Sequence, residues 1–205
     1  KVASFIMSLK DKNGDVIPVL FRPWHEMNGG WFWWGASDCT PEEYRQLYQY
    51  THKRISEKVC DNLVWGYSPN LASNESEENF MKYYPGDEYV DLIGIDVYQM
   101  AADSVYQGDL RKEFDVMKIV GEKHNKLVAL TETGNKTVSH PKWFTETLLP
   151  VLEEYKLCYA LLWRNAWDNP KEVYASAPNL PTAKDFKKFC KNKRILMNKN
   201  IKKMK

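Results

Sequence analysis

IPVLFRPWHE, residues 17–26, opens as an apolar run and closes on two side chains able to do chemistry. A run this short, without helical spacing, predicts a strand buried on both faces. The same rhythm returns four times. Residues 63–67 lead into Ser68-Pro69-Asn70, and residues 89–97 carry Asp96 and lead to Tyr98. Residues 127–131 end at Glu132, and residues 159–162 end at Trp163-Arg164. The intervening segments read as helices. Thr40-Pro41-Glu42-Glu43 offers an N-cap, a proline in the first turn and acids near the helix N-terminus. Residues 76–83, 110–123, 141–155 and 182–190 have helical spacing, and residues 1–9 read as the end of another helix. Alternating strands and helices predict an α/β fold with a parallel sheet.

The strand ends at Glu26, Asn70, Tyr98, Glu132 and Trp163 lie 44, 28, 34 and 31 residues apart. Units of that size build a (β/α)8 TIM barrel. Five are present, so the chain covers about strands 4–8 of such a barrel, with the first three βα units absent. Closure would need roughly 100 further residues upstream. A complete open sheet is the other reading, with two strand edges to cover. A swapped partner chain is a third way to complete the sheet. No linker, repeat or low-complexity segment divides residues 1–205.

Composition narrows the partners. Net charge is +2 over 205 residues, which gives no general attraction to nucleic acid. The basic end FCKNKRILMNKNIKKMK reads as a solvated helix and tail. No run of eighteen apolar residues predicts a membrane span. No leader pattern begins at Lys1, so either the protein stays inside the cell or the numbering starts after a removed segment. Cys39, Cys60, Cys158 and Cys190 make no CxxC and no metal-ligand spacing; free thiols are expected, with a disulfide as the alternative. Two sequon matches, at Asn74 and Asn135, are of a kind common by chance. Aromatics make up 14%, which serves either packing or flat platforms for ligand rings such as sugars.

Side chains alternate along a strand. Leu20, Arg22, Trp24 and Glu26 share one parity, as do Asp96 and Tyr98, and Leu130 and Glu132. One register then aims Glu26, Asp96, Tyr98 and Glu132 into one mouth. Two carboxyls facing each other suit glycoside hydrolysis, one as proton donor and one as nucleophile, at a separation of about 5–5.5 Å in retaining enzymes. A carboxyl among apolar rings is pushed toward the protonated form. Glu26 fits, since residues 22–35, RPWHEMNGGWFWWG, hold four tryptophans. Glu132 would stay ionised by accepting from Tyr98 or by facing Arg164. The competing reading of each glutamate is a helix cap or a surface ion-pair member, with the tryptophans as core. A metalloprotease HExxH at His25-Glu26 fails because position 29 is Gly29. His52, His124 and His140 fall in helices or loops, and there is no glycine-rich phosphate loop.

RPWHEMNGGWFWWG resembles the acid/base motif of glycoside hydrolase family 26, chiefly β-1,4-mannanases. ALTETG, residues 129–134, resembles its nucleophile motif, and WGYSPN, IGIDVY and LLWRNAW follow in family order. The resemblance covers nearly the whole chain and implies a partial (β/α)8 catalytic domain with retaining chemistry and no cofactor or metal. It implies Glu26 as general acid/base and Glu132 as nucleophile. His25 would orient Glu26 and contact sugar, and Trp31 would stack on sugar. Tyr98 would bond the nucleophile, with Asp96 in support. Trp163 would form the floor under the sugar, and Arg164 would reach a donor-side unit. The family also holds β-1,3-xylanases and mixed-linkage β-glucanases. A non-catalytic glycan-binding protein is the reading from another class. The β-linked polysaccharide substrate lies outside cells, which implies a secreted, periplasmic or cell-surface protein.

Overall fold

The computed structural model describes residues 1–59, 62–72 and 76–201. Its strands are β1 (Val19–Phe21), β2 (Leu63–Tyr67), β3 (Leu92–Gln99), β4 (Leu127–Asn135) and β5 (Ala160–Leu162). The helices are α1 (Val2–Ser8), α2 (Pro41–Ser56), α3 (Glu77–Met81), α4 (Asp103–His124), α5 (Leu149–Glu154), α6 (Ala183–Phe189) and α7 (Asn198–Ile201). The strands form one sheet in chain order, β1 to β5. The β1–β2, β2–β3 and β4–β5 pairs are parallel. The α/β class and the parallel sheet are as the sequence predicts.

Local chemistry accounts for most boundaries. Thr40 starts α2 with a full capping box: its hydroxyl accepts from Glu43 N–H while Glu43 accepts from Thr40 N–H. Ser76 caps α3 through Asn79 N–H. β1 is three residues long rather than eight, because Pro18 and Pro23 flank it and neither can donate to a ladder. β3 and β4 run further than predicted, to Gln99 and Asn135.

Residue contacts divide the chain into two compact units, Lys1–Asp96 with Asp115–Ala129, and Val97–Phe114 with Leu130–Lys205. In the first, Ile6, Tyr44, Tyr48, Trp65, Ile93 and Val120 are buried. Tyr48 places its hydroxyl on Gly66 O at 2.9 Å and Tyr67 on Phe80 O at 2.7 Å, so both of these buried phenols are satisfied. In the second, Tyr106, Leu110, Phe114, Trp143, Phe144 and Val151 form the core. Burying rings of this size stabilises by about 1.5–3 kcal/mol each.

The segment predicted as one helix over 141–155 is broken into a π-helical turn, Phe144–Leu148, and α5. Pro150 has no N–H to return to Glu146, which frees that carbonyl. Gln107 fills the gap, donating its amide to Glu146 O at 3.3 Å and Thr147 O at 2.9 Å.

Among the described residues Cys39, Cys158 and Cys190 are free thiols. Cys60 and the Asn74 sequon lie outside the described residues. Asn135 is buried with its amide on Gln99 Oε1 at 3.0 Å, which removes it as a glycan acceptor. Among the described residues no helix is long and apolar enough to cross a membrane.

Candidate active site

The loop after β1 sets the first group of residues. Past Phe21 the chain leaves strand geometry, and Trp24 and Glu26 take φ of 56° and 54°. The alternation drawn from Leu20 through Glu26 therefore stops at β1. Trp24 turns its indole N–H to Thr51 of α2 at 2.9 Å and packs edge-on to Trp33 and Trp34. It belongs to the wall of the loop and not to the setting of Glu26.

Glu26 is nonetheless well held. Its N–H donates to Ser68 O at 2.9 Å, beyond the end of β2. Its carboxyl is buried and accepts from two donors, Trp31 Nε1 and Asn70 Nδ2, each at 2.7 Å. Asn70 is fixed in turn by Asn28. The Asn28 amide donates to Asn70 O at 2.7 Å, and Asn70 N–H donates back to Asn28 Oδ1 at 2.8 Å. Trp31 folds back over Gly29, where a Cβ would lie 2.3 Å from the indole ring. That approach is why the turn before Trp31 carries glycine. Trp31 bonds Glu26 through its edge yet stays 58% exposed, so its face is open to a flat ligand.

His25 lies against Phe32 with ring centroids 5.1 Å apart, and Phe32 stacks on Trp34 at 4.3 Å. Trp34 Nε1 donates to His25 O at 2.9 Å. The cluster fixes the backbone immediately before Glu26. Asp96 is fully buried and meets Arg22 Nη1 at 2.8 Å, while the same nitrogen donates to Ser68 Oγ at 2.6 Å.

The second group sits on β3, β4 and the segment after β5. Here alternation holds. Tyr98 of β3 and Glu132 of β4 share a face, and the Tyr98 hydroxyl donates to Glu132 Oε2 at 2.6 Å. The opposite face of β4 bonds elsewhere, Thr133 to Tyr106 and Asn135 to Gln99. Glu132 is buried. Behind Tyr98 lies Tyr174, ring centroids 5.1 Å apart, itself buried and packed on Gly134, where a Cβ would come within 2.7 Å of it. Burial raises the Tyr174 phenol above its ordinary range, and the Glu172 charge adds to this.

Trp163 continues from β5, its N–H on Thr133 O at 2.9 Å, and is half-buried. Arg164 is exposed and pairs with Glu172 at 2.8 Å; of the two partners expected for Glu132, Tyr98 is the one observed.

The other histidines have local tasks. His52 packs on Trp65, His124 meets Asp87 at 3.0 Å, and His140 meets Asp103 at 3.0 Å.

Sequence reasoning missed Asn70, Asn28, Gly134 and Tyr174. Asn70 did carry a signal, since it ends the second strand-like run. Tyr174 carried none.

The model of glycosyl hydrolase family 26 matches residues 1–188. The chain is 32% identical over 96% of its length to a mannan endo-1,4-β-mannosidase of Bifidobacterium adolescentis, covering 21% of that protein. It is 32% identical to the enzyme of the same name from Bacillus subtilis strain 168, with 86% of this chain and 46% of that one covered. A family 26 β-mannanase structure from Bacteroides ovatus superposes with a TM-score of 0.91 at 43% identity, over 96% of this chain and 56% of the other. The chain thus spans about half or less of the length of these relatives.

Proposed function

Because the chain belongs to glycosyl hydrolase family 26, we propose that it carries the two catalytic carboxyls of a retaining endo-β-1,4-mannanase. Its five strands are then the last five of a (β/α)8 barrel. The observation that carries the reading is the pair of buried glutamates in unlike settings. Glu26 accepts from two N–H groups, and Glu132 accepts from a phenol. Both settings offer donors to a carboxylate, so the division of acid and nucleophile work rests on the motifs around each glutamate, residues 22–35 and 129–134.

In the proposed reaction Glu132 attacks the anomeric carbon as a carboxylate. The bond to the leaving oxygen breaks, and Glu26 gives that oxygen its proton. A glycosyl ester on Glu132 results. Water then attacks the same carbon, Glu26 takes a proton from it, and the ester bond to Glu132 breaks. Trp31 supplies an open face for a ring beside Glu26. Trp163 forms the floor under the sugar and His25 steadies the acid/base. Tyr98 keeps Glu132 oriented, and Asp96 supports the site through Arg22. This chemistry draws on no cofactor or metal. The relatives are mannan endo-1,4-β-mannosidases, which supports mannan as substrate, and a polymer outside cells supports export.

Zymography of the full-length protein on glucomannan tests the reading, with Glu132→Ala as the inactive control. Glu26→Ala should lower kcat/KM on polysaccharide by about 10²–10⁴-fold and largely spare aryl glycosides with good leaving groups. Equal loss in both variants on an activated aryl glycoside would overturn the assignment of roles. Binding without cleavage by the unmutated protein would overturn the enzyme.

A further inference from the structure

The residues after β5 form a small, heavily bonded hairpin. Asn165 bridges antiparallel to Val173, and Ala166 N–H donates to Glu172 O at 2.8 Å. Asn165 also anchors the base, its Oδ1 accepting from Tyr174 and Ala175 N–H, both at 2.9 Å. Asn169 closes the tip, accepting from Lys171 N–H at 3.0 Å and donating to Glu172 Oε1 at 3.2 Å. Arg164 holds the other Glu172 oxygen at 2.8 Å. On this frame stands Trp167, 94% exposed within residues 1–205.

An indole in water forgoes the burial that tryptophan ordinarily gains. A frame bonded this closely displays the ring instead of letting it fold onto the surface. Its sequence neighbours mix polar Arg164, Asp168, Asn169 and Lys171 with small apolar Ala166 and Pro170, and the indole is the one aromatic ring between Arg164 and Val173. One indole offers roughly 200 Å², far short of the ~1,000 Å² total that a protein interface needs. It does match one sugar ring: the flat face meets the C–H face of a pyranose, and polar neighbours meet hydroxyls. Because the frame is already ordered, binding costs little further entropy.

We propose that Trp167 is a stacking platform for a pyranose unit of the polysaccharide, outside the units flanking the cleaved bond. The inference rests on the reading of the chain as a mannan hydrolase. In the full-length protein, Trp167→Ala should raise KM on glucomannan and long manno-oligosaccharides by about five-fold, equivalent to about 1 kcal/mol. The loss should shrink as the oligosaccharide shortens, and Trp167→Tyr should recover most of it. An equal loss at every length, or no loss, overturns the platform. So does a lowered Tm with KM unchanged, which would mean that the indole packs on polypeptide. Affinity electrophoresis in glucomannan gels separates the two readings. Retardation that depends on Trp167 without cleavage keeps the platform and rejects the hydrolase. Cleavage with retardation indifferent to Trp167→Ala does the reverse, and neither retardation nor cleavage rejects both.

Discussion

Asn70 and Trp31 grip opposite oxygens of Glu26, which leaves a carboxyl proposed to lose and regain a proton little freedom to turn. Asn70→Ala deletes one grip and keeps the two bonds that Asn28 makes to the main chain of residue 70. We expect kcat on mannan to fall by about 10–100-fold, since hydrogen bonds to charged groups contribute about 1.5–3 kcal/mol, with KM nearly unchanged. Steady-state kinetics checks this; a change in KM alone would place Asn70 in substrate binding. The two glutamates were legible because each follows an apolar run. The same alternation gave Tyr98 as the partner of Glu132; the donors to Glu26, Asn70 and Trp31, were not legible as such, because a strand's sequence says which way its own side chains point and nothing about which loop arrives opposite. Trp24 was misplaced for a related reason. Left-handed backbone is signalled by glycine or asparagine, and neither Trp24 nor Glu26 gives that sign.

At the level of elements, the contact of β4 with the segment after β5 is the tightest piece of the second group. Gly134→Ala puts a methyl 2.7 Å from Tyr174. Overpacking of this kind costs about 1–3 kcal/mol, and Tyr174 is what backs Tyr98 against Glu132. Thermal melts should show a drop in Tm of about 2–12 °C, together with lower kcat. Unchanged kcat would mean that Tyr98 keeps its bond to Glu132 without Tyr174. The elements themselves were read well where caps and apolar runs are strong, as at α2 and β2. They were read poorly where tertiary bonds replace local signals. Helix α4 begins at Asp103, seven residues before its apolar stripe announces it. Gly108 weakens the helical pattern there, while Asp103 is held by Gln99 at 2.5 Å, Thr147 at 2.8 Å and His140. Partial burial pushes the Asp103 carboxyl up, but these bonds outweigh it and hold it below its ordinary range.

Across the whole molecule, a net charge of +2 and the neutral polymer proposed as substrate leave electrostatic steering with nothing to do. Mannan hydrolysis should change less than about two-fold between 0.05 and 0.5 M NaCl, because only charged partners are drawn in over a Debye length. A steep salt dependence would point to an acidic substrate instead. The α/β class was legible at this scale from the alternation alone. The division into two units was not. Its borders cut through β3, α4 and β4, and an element that continues across a border leaves no proline-rich or polar seam to read.

The backbone at Trp24 and Glu26 has a bearing on descent. A non-glycine residue held in the left-handed region forfeits about 1–2 kcal/mol, and two stand within three positions. Packing on Trp33 and Trp34 offsets that cost at Trp24; at Glu26 the proposed proton transfer is what a glycine or asparagine would forfeit. Were a lineage released from the proposed cleavage, glycine or asparagine at position 26 would relieve that cost. A relative with glycine or asparagine at that position then reads as a sound fold that has retired from catalysis, and not as a decaying gene.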